Sequence, residues 1–289
     1  MTEIAMNLEA APGDQRQVIV SGATGFIGRH LVPLLLEQGY RVVALGRNYP
    51  QAGSLDWYPH VEFHAIDLTK QDFNFQPEKG SSLVHLAWAG LPDYRMLSHV
   101  EENLPASCRF IKRLVNAGVG NVLVAGTCLE YGLQEGALSP RTVPNPITPY
   151  AIAKNTLRQY LECLQTTQKF SLKWARLFYM HGPGQNPRSI LAQLDSAMAN
   201  GDQIFRMSGG EQLRDYLPVQ QVAQQLLANL SAGGDQLTNI CSGKPTSIRR
   251  LVEERIRERG SDIQIKLGHY PYPDYEPMAF WGTNNEDKL

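Results

Sequence analysis

Tyr150-Ala-Ile-Ala-Lys154 sets a phenol and an amine four residues apart. On a helix that spacing puts both side chains on one face. A free tyrosine titrates near ~10, too high for acid/base work at neutral pH. A neighbouring ammonium favours the phenolate and is expected to lower that value. Such a pair can pass a proton to or from an oxygen while a hydride moves at the attached carbon. In isolation the string fits an ordinary surface helix pair better, so its meaning depends on what surrounds it. Thr127, within Gly126-Thr-Cys-Leu-Glu-Tyr-Gly132, follows an apolar run at 121–125. Its hydroxyl is placed to hold the same substrate oxygen against Tyr150.

A second constellation lies upstream. Ser21-Gly22-Ala-Thr24-Gly25-Phe26-Ile27-Gly28 follows a short apolar run and opens a stretch of helical spacing. Gly22 allows a sharp turn, Gly25 a close backbone approach to a pyrophosphate, and Gly28 close packing of helix on strand. The helix N-terminus then faces the phosphates with free N–H groups. Gly22, Thr24, Gly25, Phe26, Ile27 and Gly28 are therefore expected cofactor contacts. After the second apolar run stands Leu45-Gly46-Arg47-Asn48, with no acid to grip a ribose 2′-hydroxyl and with one arginine to accept a 2′-phosphate. NADP(H) is the expected cofactor, with NAD(H) the alternative; Arg47 as a plain solvated loop residue is the competing reading. Asp67-Leu68 can contact the adenine, or Asp67 can simply form a turn. Gly243-Lys244 is followed by Pro245, and Thr238 stands where a phosphate-binding loop of NTPases needs its first glycine.

These residues need a scaffold. The apolar run at 17–21, helical spacing over 26–38 and the run at 41–45 make one βαβ unit. Further strands are expected at 61–65, 82–87, 121–125 and 172–177, with helices over 101–117 and 150–168. Buried runs alternating with helices imply a doubly wound parallel sheet of Rossmann type in the α/β class. Beyond Tyr179 the texture changes: Gly182-Pro-Gly184 marks a loop, and helices are expected over 188–200, 219–230 and 247–259. The run at 237–241 can return to the main sheet. The expected division is a loose leader at 1–15, a nucleotide-binding domain at 16–178 and a smaller interleaved C-terminal substrate-binding lobe at 179–289, with about 219–242 rejoining the first domain. The Pro- and aromatic-rich segment 270–281 reads as packed and extended.

The bulk composition excludes several classes. The 289 residues carry 43% hydrophobic and 19% charged side chains, a globular balance, and a formal net charge of −1 that gives no case for nucleic acid or an acidic membrane. Cys108, Cys128, Cys163 and Cys241 form no C-x-x-C pair and no cluster of zinc-binding spacing, so reduced thiols, a cytoplasmic location and no metal are expected. No apolar run reaches membrane-spanning length.

Taken together, the glycine loop, Thr127, Tyr150 and Lys154 resemble the extended short-chain dehydrogenase/reductase family that acts on nucleotide sugars. The resemblance runs from Val18 to Trp281. It implies Thr127, Tyr150 and Lys154 as the catalytic set, and further cofactor contacts at Leu86, Ala87, Asn103 and Phe178. It implies substrate contacts at Trp88, Cys128, Tyr179 and Arg214, the last in Arg214-Asp-Tyr216 as a clamp on the sugar-nucleotide diphosphate. Blander readings stand beside some of these: Trp88 as core packing, Cys128 as a small buried filler, His85 as a satisfied core histidine. A homodimer through the helices 101–117 and 150–168 also follows from the resemblance alone.

Departures narrow the chemistry. Cys128 and Leu129 occupy the positions where 4,6-dehydratases of the family carry Asp-Glu. Gly184 stands where the reducing 3,5-epimerases carry a histidine, and Cys128 is out of register for their cysteine. Tyr179 and Gln221 replace a family Asn and Asp. The strings His85-Leu-Ala-Trp88, Arg214-Asp-Tyr-Leu-Pro218 and Tyr270-Pro-Tyr-Pro-Asp-Tyr-Glu-Pro277 are similar to reductases of dTDP-4-keto-6-deoxyhexoses, which serve deoxysugar and surface-polysaccharide (O-antigen) biosynthesis. The expectation is a 4-ketoreductase; the alternatives are a nucleotide-sugar epimerase with tightly bound NAD and a redox-sensing binding protein without turnover.

Overall fold

The computed structural model describes residues 16–70 and 75–284; the expected leader at 1–15 lies outside them. The chain opens with β1 (Gln17–Ser21), α1 (Gly28–Glu37), β2 (Arg41–Gly46), α2 (Tyr49–Gly53), β3 (Glu62–Ala65) and β4 (Ser82–His85). It continues through α3 (Leu104–Asn116), β5 (Asn121–Thr127), β6 (Gly136–Leu138), α4 (Pro149–Gln165) and β7 (Ser171–Leu177). Seven strands form one sheet in the order β11-β7-β5-β4-β1-β2-β3, where β11 is Gln236–Ile240. Every pairing in it is parallel. Alternate residues of one strand face opposite covering layers, which is why the strands read as unbroken apolar runs. Val18 and Val20 pack with Leu31 and Leu35 of α1, whereas Ile19 packs with Phe110 and Leu114 of α3 and Leu157 and Leu161 of α4.

The strand order reverses between β1 and β4, so their C-terminal ends open a crevice at the switch point. Gly22 sits there at φ +76°, and a Cβ on it would lie 2.8 Å from the Ala87 amide nitrogen. Only glycine lets the turn after β1 come this close to the end of β4.

The remaining elements are β8 (Tyr179–His181), α5 (Ile190–Ala199), β9 (Ile204–Arg206), β10 (Leu213–Pro218), α6 (Val219–Ser231), β12 (Pro245–Ser247), α7 (Ile248–Arg259), β13 (Gln264–Lys266) and β14 (Phe280–Gly282). α6 lays Val222 and Leu226 against the same core as α1, and β11 extends the main sheet beyond β7. A separate core of Leu194, Phe205 and Val252 holds α5 and α7 together. The two lobes are stitched by buried Asp215 of β10, whose carboxylate accepts from the amides of Ser242 (2.7 Å) and Gly243 (2.9 Å) just after β11. β14 pairs with β6, so the aromatic tail returns to the first lobe.

Several elements differ in extent from the sequence expectation. α1 begins at Gly28, leaving Phe26 and Ile27 in the turn. The helix expected over 101–117 is split: residues His99–Asn103 form a wide π turn before α3. Pro105 has no N–H to give the carbonyl of Glu101, and its ring clashes with a regular turn there. α5 starts two residues later than expected, with Ser189 at its N-cap.

Candidate active site

The crevice is a cleft of about 940 Å³ that runs from the glycine turn, across the C-terminal ends of the sheet, to the second lobe. At one end it is lined by Gly22, Thr24, Gly25, Phe26, Ile27 and Gly28. A Cβ on Gly28 would stand 2.4 Å from the Gly22 carbonyl oxygen and 2.5 Å from that of Ala23. The third glycine thus seats the helix on the turn itself, rather than on the body of the strand. A Cβ on Gly25 would press on the Gly22 carbonyl at 3.1 Å. No side chain caps α1; the amides of Arg29, His30 and Leu31 donate to the carbonyls of Gly25 and Ile27, and the helix N-terminus at Gly28 faces the cleft with its partial positive charge. These features fit a dinucleotide pyrophosphate.

Further along the same wall lie Arg47, Asp67, Leu68, Leu86 and Ala87. Asp67 accepts from the amide (3.0 Å) and hydroxyl (2.7 Å) of Thr69, and these bonds hold its carboxyl below the usual range. It is therefore both a turn former and a cleft residue. Arg47 is exposed at the rim, and Gln51 beside it donates to the Thr24 carbonyl at 3.3 Å. Asn103 and Phe178 also face the cleft. Asn103 donates to the Ala89 carbonyl at 3.0 Å.

The catalytic candidates converge from three elements. β5 ends at Thr127, and the following 3-10 turn is closed by a capping box between Thr127 and Glu130. α4 begins just before Tyr150, with Thr148 as its N-cap (3.2 Å to the Ala151 amide) and Pro149 in its first turn. Tyr150 is ringed by Trp88, Tyr94 and His99, at centroid distances of 6.0, 5.4 and 5.3 Å. Burial raises its pKa well above the usual phenol value, against a downward pull from its hydrogen bond to Thr127. Cys128 and Glu130 push it further up.

This corrects the expected effect of Lys154. The amine lies one turn along α4, but burial drops it to about 7, with Glu130 pulling it back upward. Its Nζ donates to the Ala125 carbonyl at 2.9 Å and lies 3.9 Å from the centre of the Trp88 ring. Lys154 is thus behind the cleft wall, covered by an indole, and burial rather than its charge governs the phenol. His99 fixes that indole. Its Nδ1 accepts from Trp88 Nε1 at 3.0 Å, so Nε2 carries the proton donated to the Asp93 carbonyl at 2.7 Å.

Trp88, Cys128 and Tyr179 line the end of the cleft nearest the second lobe. Arg214 does not. Its guanidinium is buried, donates to Glu276 Oε2 (3.0 and 3.3 Å) and to the carbonyls of Leu213 and Met278, and stacks 4.6 Å over Phe280. Glu276 also binds the Tyr179 hydroxyl. The expected diphosphate clamp is therefore corrected to a structural cation under the cleft floor in this conformation. Sequence reasoning passes over four residues here. Tyr94, Tyr275 and Glu276 line the cleft, as does exposed Arg188 next to the N-terminus of α5. Arg188 had no signal beyond its type; Glu276 reaches Arg214 from 62 residues away, which no local pattern encodes.

His85 is fully buried between the hydroxyls of Ser21 (2.8 Å) and Ser107 (3.2 Å), and burial lowers it to about 3. It is a satisfied core histidine. All four cysteines are free thiols, and no metal-binding cluster of His, Cys, Asp or Glu occurs among the described residues. No helix among them is long and apolar enough to cross a membrane.

The chain is similar to known proteins. Residues 18–241 match the family described as the NAD dependent epimerase/dehydratase family. A dTDP-6-deoxy-L-talose 4-dehydrogenase (NAD(+)) of Aggregatibacter actinomycetemcomitans is 32% identical, over 92% of this chain and 99% of that protein. A dTDP-6-deoxy-L-talose 4-dehydrogenase (NAD(P)(+)) of Kitasatospora kifunensis is 27% identical, over 89% of this chain and 83% of its own. Among solved structures, MoeE5 in complex with UDP-glucuronic acid and NAD superposes with a TM-score of 0.79 at 26% identity, covering 93% of this chain and 90% of that one. A glycine turn at the switch point of a parallel sheet, Thr127 at the end of β5 with Tyr150 in the first turn of α4, and a family match over most of the length agree: the chain belongs to the NAD dependent epimerase/dehydratase family of extended short-chain dehydrogenases/reductases and is an enzyme of the nucleotide-sugar dehydrogenase/epimerase type.

Proposed function

We propose that this enzyme reduces the 4-keto group of a dTDP-linked 4-keto-6-deoxyhexose with NADPH, within deoxysugar biosynthesis. The observation that carries the reading is the buried Tyr150 phenol, which shares the wall of the cleft with Thr127 and with the glycine turn. A reduction needs a proton donor at the nascent alkoxide, and a phenol kept protonated at neutral pH is in the required form. The cofactor, when bound, supplies the hydride to carbon 4. Thr127 holds the carbonyl oxygen, and Tyr150 delivers its proton to that oxygen. Glycine-turn amides and the first turn of α1 carry the pyrophosphate. Lys154 supports the site from behind Trp88 and reaches the ribose only if that indole turns aside.

Support for the substrate class comes from the sugar end. Trp88, Tyr94, Tyr179, Tyr216 and Tyr275 give it aromatic walls, which suit the methyl group and apolar face of a 6-deoxysugar. Two relatives named for dTDP-6-deoxy-L-talose point the same way. With Arg214 committed to Glu276 and Arg47 at the cofactor rim, Arg188, an exposed cation beside Ser189 at the start of α5, takes the substrate diphosphate. Arg47 at the rim favours the 2′-phosphate of NADPH. The working unit is a cytoplasmic homodimer joined through α3 and α4.

The test is product analysis by NMR after incubation with dTDP-4-keto-6-deoxyglucose. The reading expects a carbon-4 alcohol that forms only with added reduced cofactor. An epimerase would convert sugar without added cofactor and retain NAD through dialysis. Uridine-linked relatives such as the UDP-glucuronate 4-epimerase of Thermodesulfobacterium geofontis, 24% identical, make that the second reading.

A further inference from the structure

The end of β5 is gripped from two sides. Lys154 Nζ donates to the carbonyl of Ala125 at 2.9 Å, and the amide of Thr127 donates to Glu130 Oε1 at 2.9 Å. Glu130 is fully buried and receives two more partners from β7: Trp174 Nε1 at 3.0 and 3.1 Å, and Arg176 Nε at 2.8 Å. Gly126 lies between these grips. A Cβ on it would stand 2.3 Å from Trp174 Nε1 and 2.6 Å from Glu130 Oε1, so the missing side chain is what admits the indole and the carboxylate. Arg176 is itself pinned by the Tyr131 hydroxyl (3.1 Å) and the Pro140 carbonyl (3.0 Å). A buried ion pair is weak evidence for stability, because desolvation offsets its attraction. What this pair does secure is geometry, since Glu130 has little freedom left and Thr127 hangs from it.

We propose that Glu130, clamped by Trp174 and Arg176, is a positioning residue for the reaction: it sets the backbone of Thr127 so that the threonine hydroxyl meets the Tyr150 phenol and the substrate oxygen. The inference rests on Thr127 and Tyr150 acting as the catalytic pair. The same carboxylate opposes the burial that lowers Lys154, so one side chain touches all three members of the set, one through a bond and two through its charge.

A double-mutant cycle tests this. Glu130→Gln removes the charge and turns an N–H toward its donors. Trp174→Phe removes one donor and keeps the ring packing, and it carries the test if Glu130→Gln does not fold. Each is made alone and with Thr127→Ala. Two readouts are taken: kcat on the ketosugar, and the Tyr150 ring-carbon resonance of protein labelled with 13C at tyrosine Cζ, assigned with Tyr150→Phe. The expectation is a loss of about 10- to 100-fold in kcat, of the size a small misplacement causes, with KM for the cofactor unchanged. No further loss is expected in the Thr127→Ala background, and the Tyr150 resonance should move as it does in Thr127→Ala. Equal losses in both backgrounds, or an unmoved Tyr150 resonance in the folded variants, would overturn the proposal. Failure of the wild type to reduce the ketosugar would count against the substrate reading alone, because the resonance still decides the role of Glu130.

Discussion

Burial moves Tyr150 and Lys154 away from their solution values in opposite directions, and both shifts favour the neutral form. This has a measurable consequence for stability. An unfolded lysine near 10.5 holds its proton between about pH 7 and pH 10.5, whereas folded Lys154 has released it. The unfolded state binds more protons in that window, so this lysine makes stability rise with pH by about 1 kcal/mol per unit and leaves a penalty below pH 7. Urea unfolding of the cofactor-free protein between pH 7 and 8.5 should show that slope relative to Lys154→Met. Identical slopes would mean that Lys154 keeps its charge. His85 follows the same linkage lower down: folded at about 3 and unfolded near 6.5, it makes stability fall as pH drops through that range. The sequence makes the pair at 150 and 154 plain, because a four-residue spacing is local. It does not reveal Trp88 over Lys154, nor Glu276 on Arg214, because each contact joins segments brought together only by the fold.

At the scale of elements, the cofactor end depends on how β1 turns into α1. Gly28 has no room for a side chain against the carbonyls of Gly22 and Ala23. Gly28→Ala should therefore push α1 off the turn, destabilising the protein by about 1–3 kcal/mol. Nucleotide affinity should fall in calorimetric titration, while the far-UV signal of the remaining helices persists. Unchanged affinity would show that the phosphates do not sit on this turn. The turn was legible because three glycines between two apolar runs have few other uses. The break before α3 was also written in the sequence, as Pro105, yet hydrophobic spacing continues through it and masks it. The capping box that closes the turn after β5 has a readable signature in Thr127 and Glu130, three residues apart, but its buried partners Trp174 and Arg176 come from another strand.

For the whole molecule, two features remain exposed to test. Arg47 at the cleft rim should set cofactor choice: Arg47→Ala is expected to raise KM for NADPH by about tenfold, the weight of one charge-assisted phosphate contact, and to leave KM for NADH nearly unchanged. Equal effects on both would remove Arg47 from cofactor selection. The outer face of α4 presents Ile152, 40% exposed, on the surface expected to join two copies. Ile152→Glu should convert a dimer to a monomer in sedimentation equilibrium, and a wild-type monomer would contradict that assembly. The parallel sheet and its switch point could be read from alternating apolar runs and helices. The return of 219–242 was expected from the apolar run at 237–241, and α6 and β11 do pack on and extend the main sheet, though through packing rather than through any motif.

The central claim is that Tyr150 gives its proton to the oxygen of a reduced 4-keto sugar. It is tested most directly by following NADPH absorbance with dTDP-4-keto-6-deoxyglucose for the wild type and Tyr150→Phe, with cofactor binding measured in parallel. Substrate-dependent oxidation by the wild type, falling about 10²- to 10⁴-fold in Tyr150→Phe with cofactor affinity retained, is the predicted result. Oxidation that persists in Tyr150→Phe at the wild-type rate would contradict it and move the proton donor elsewhere in the cleft.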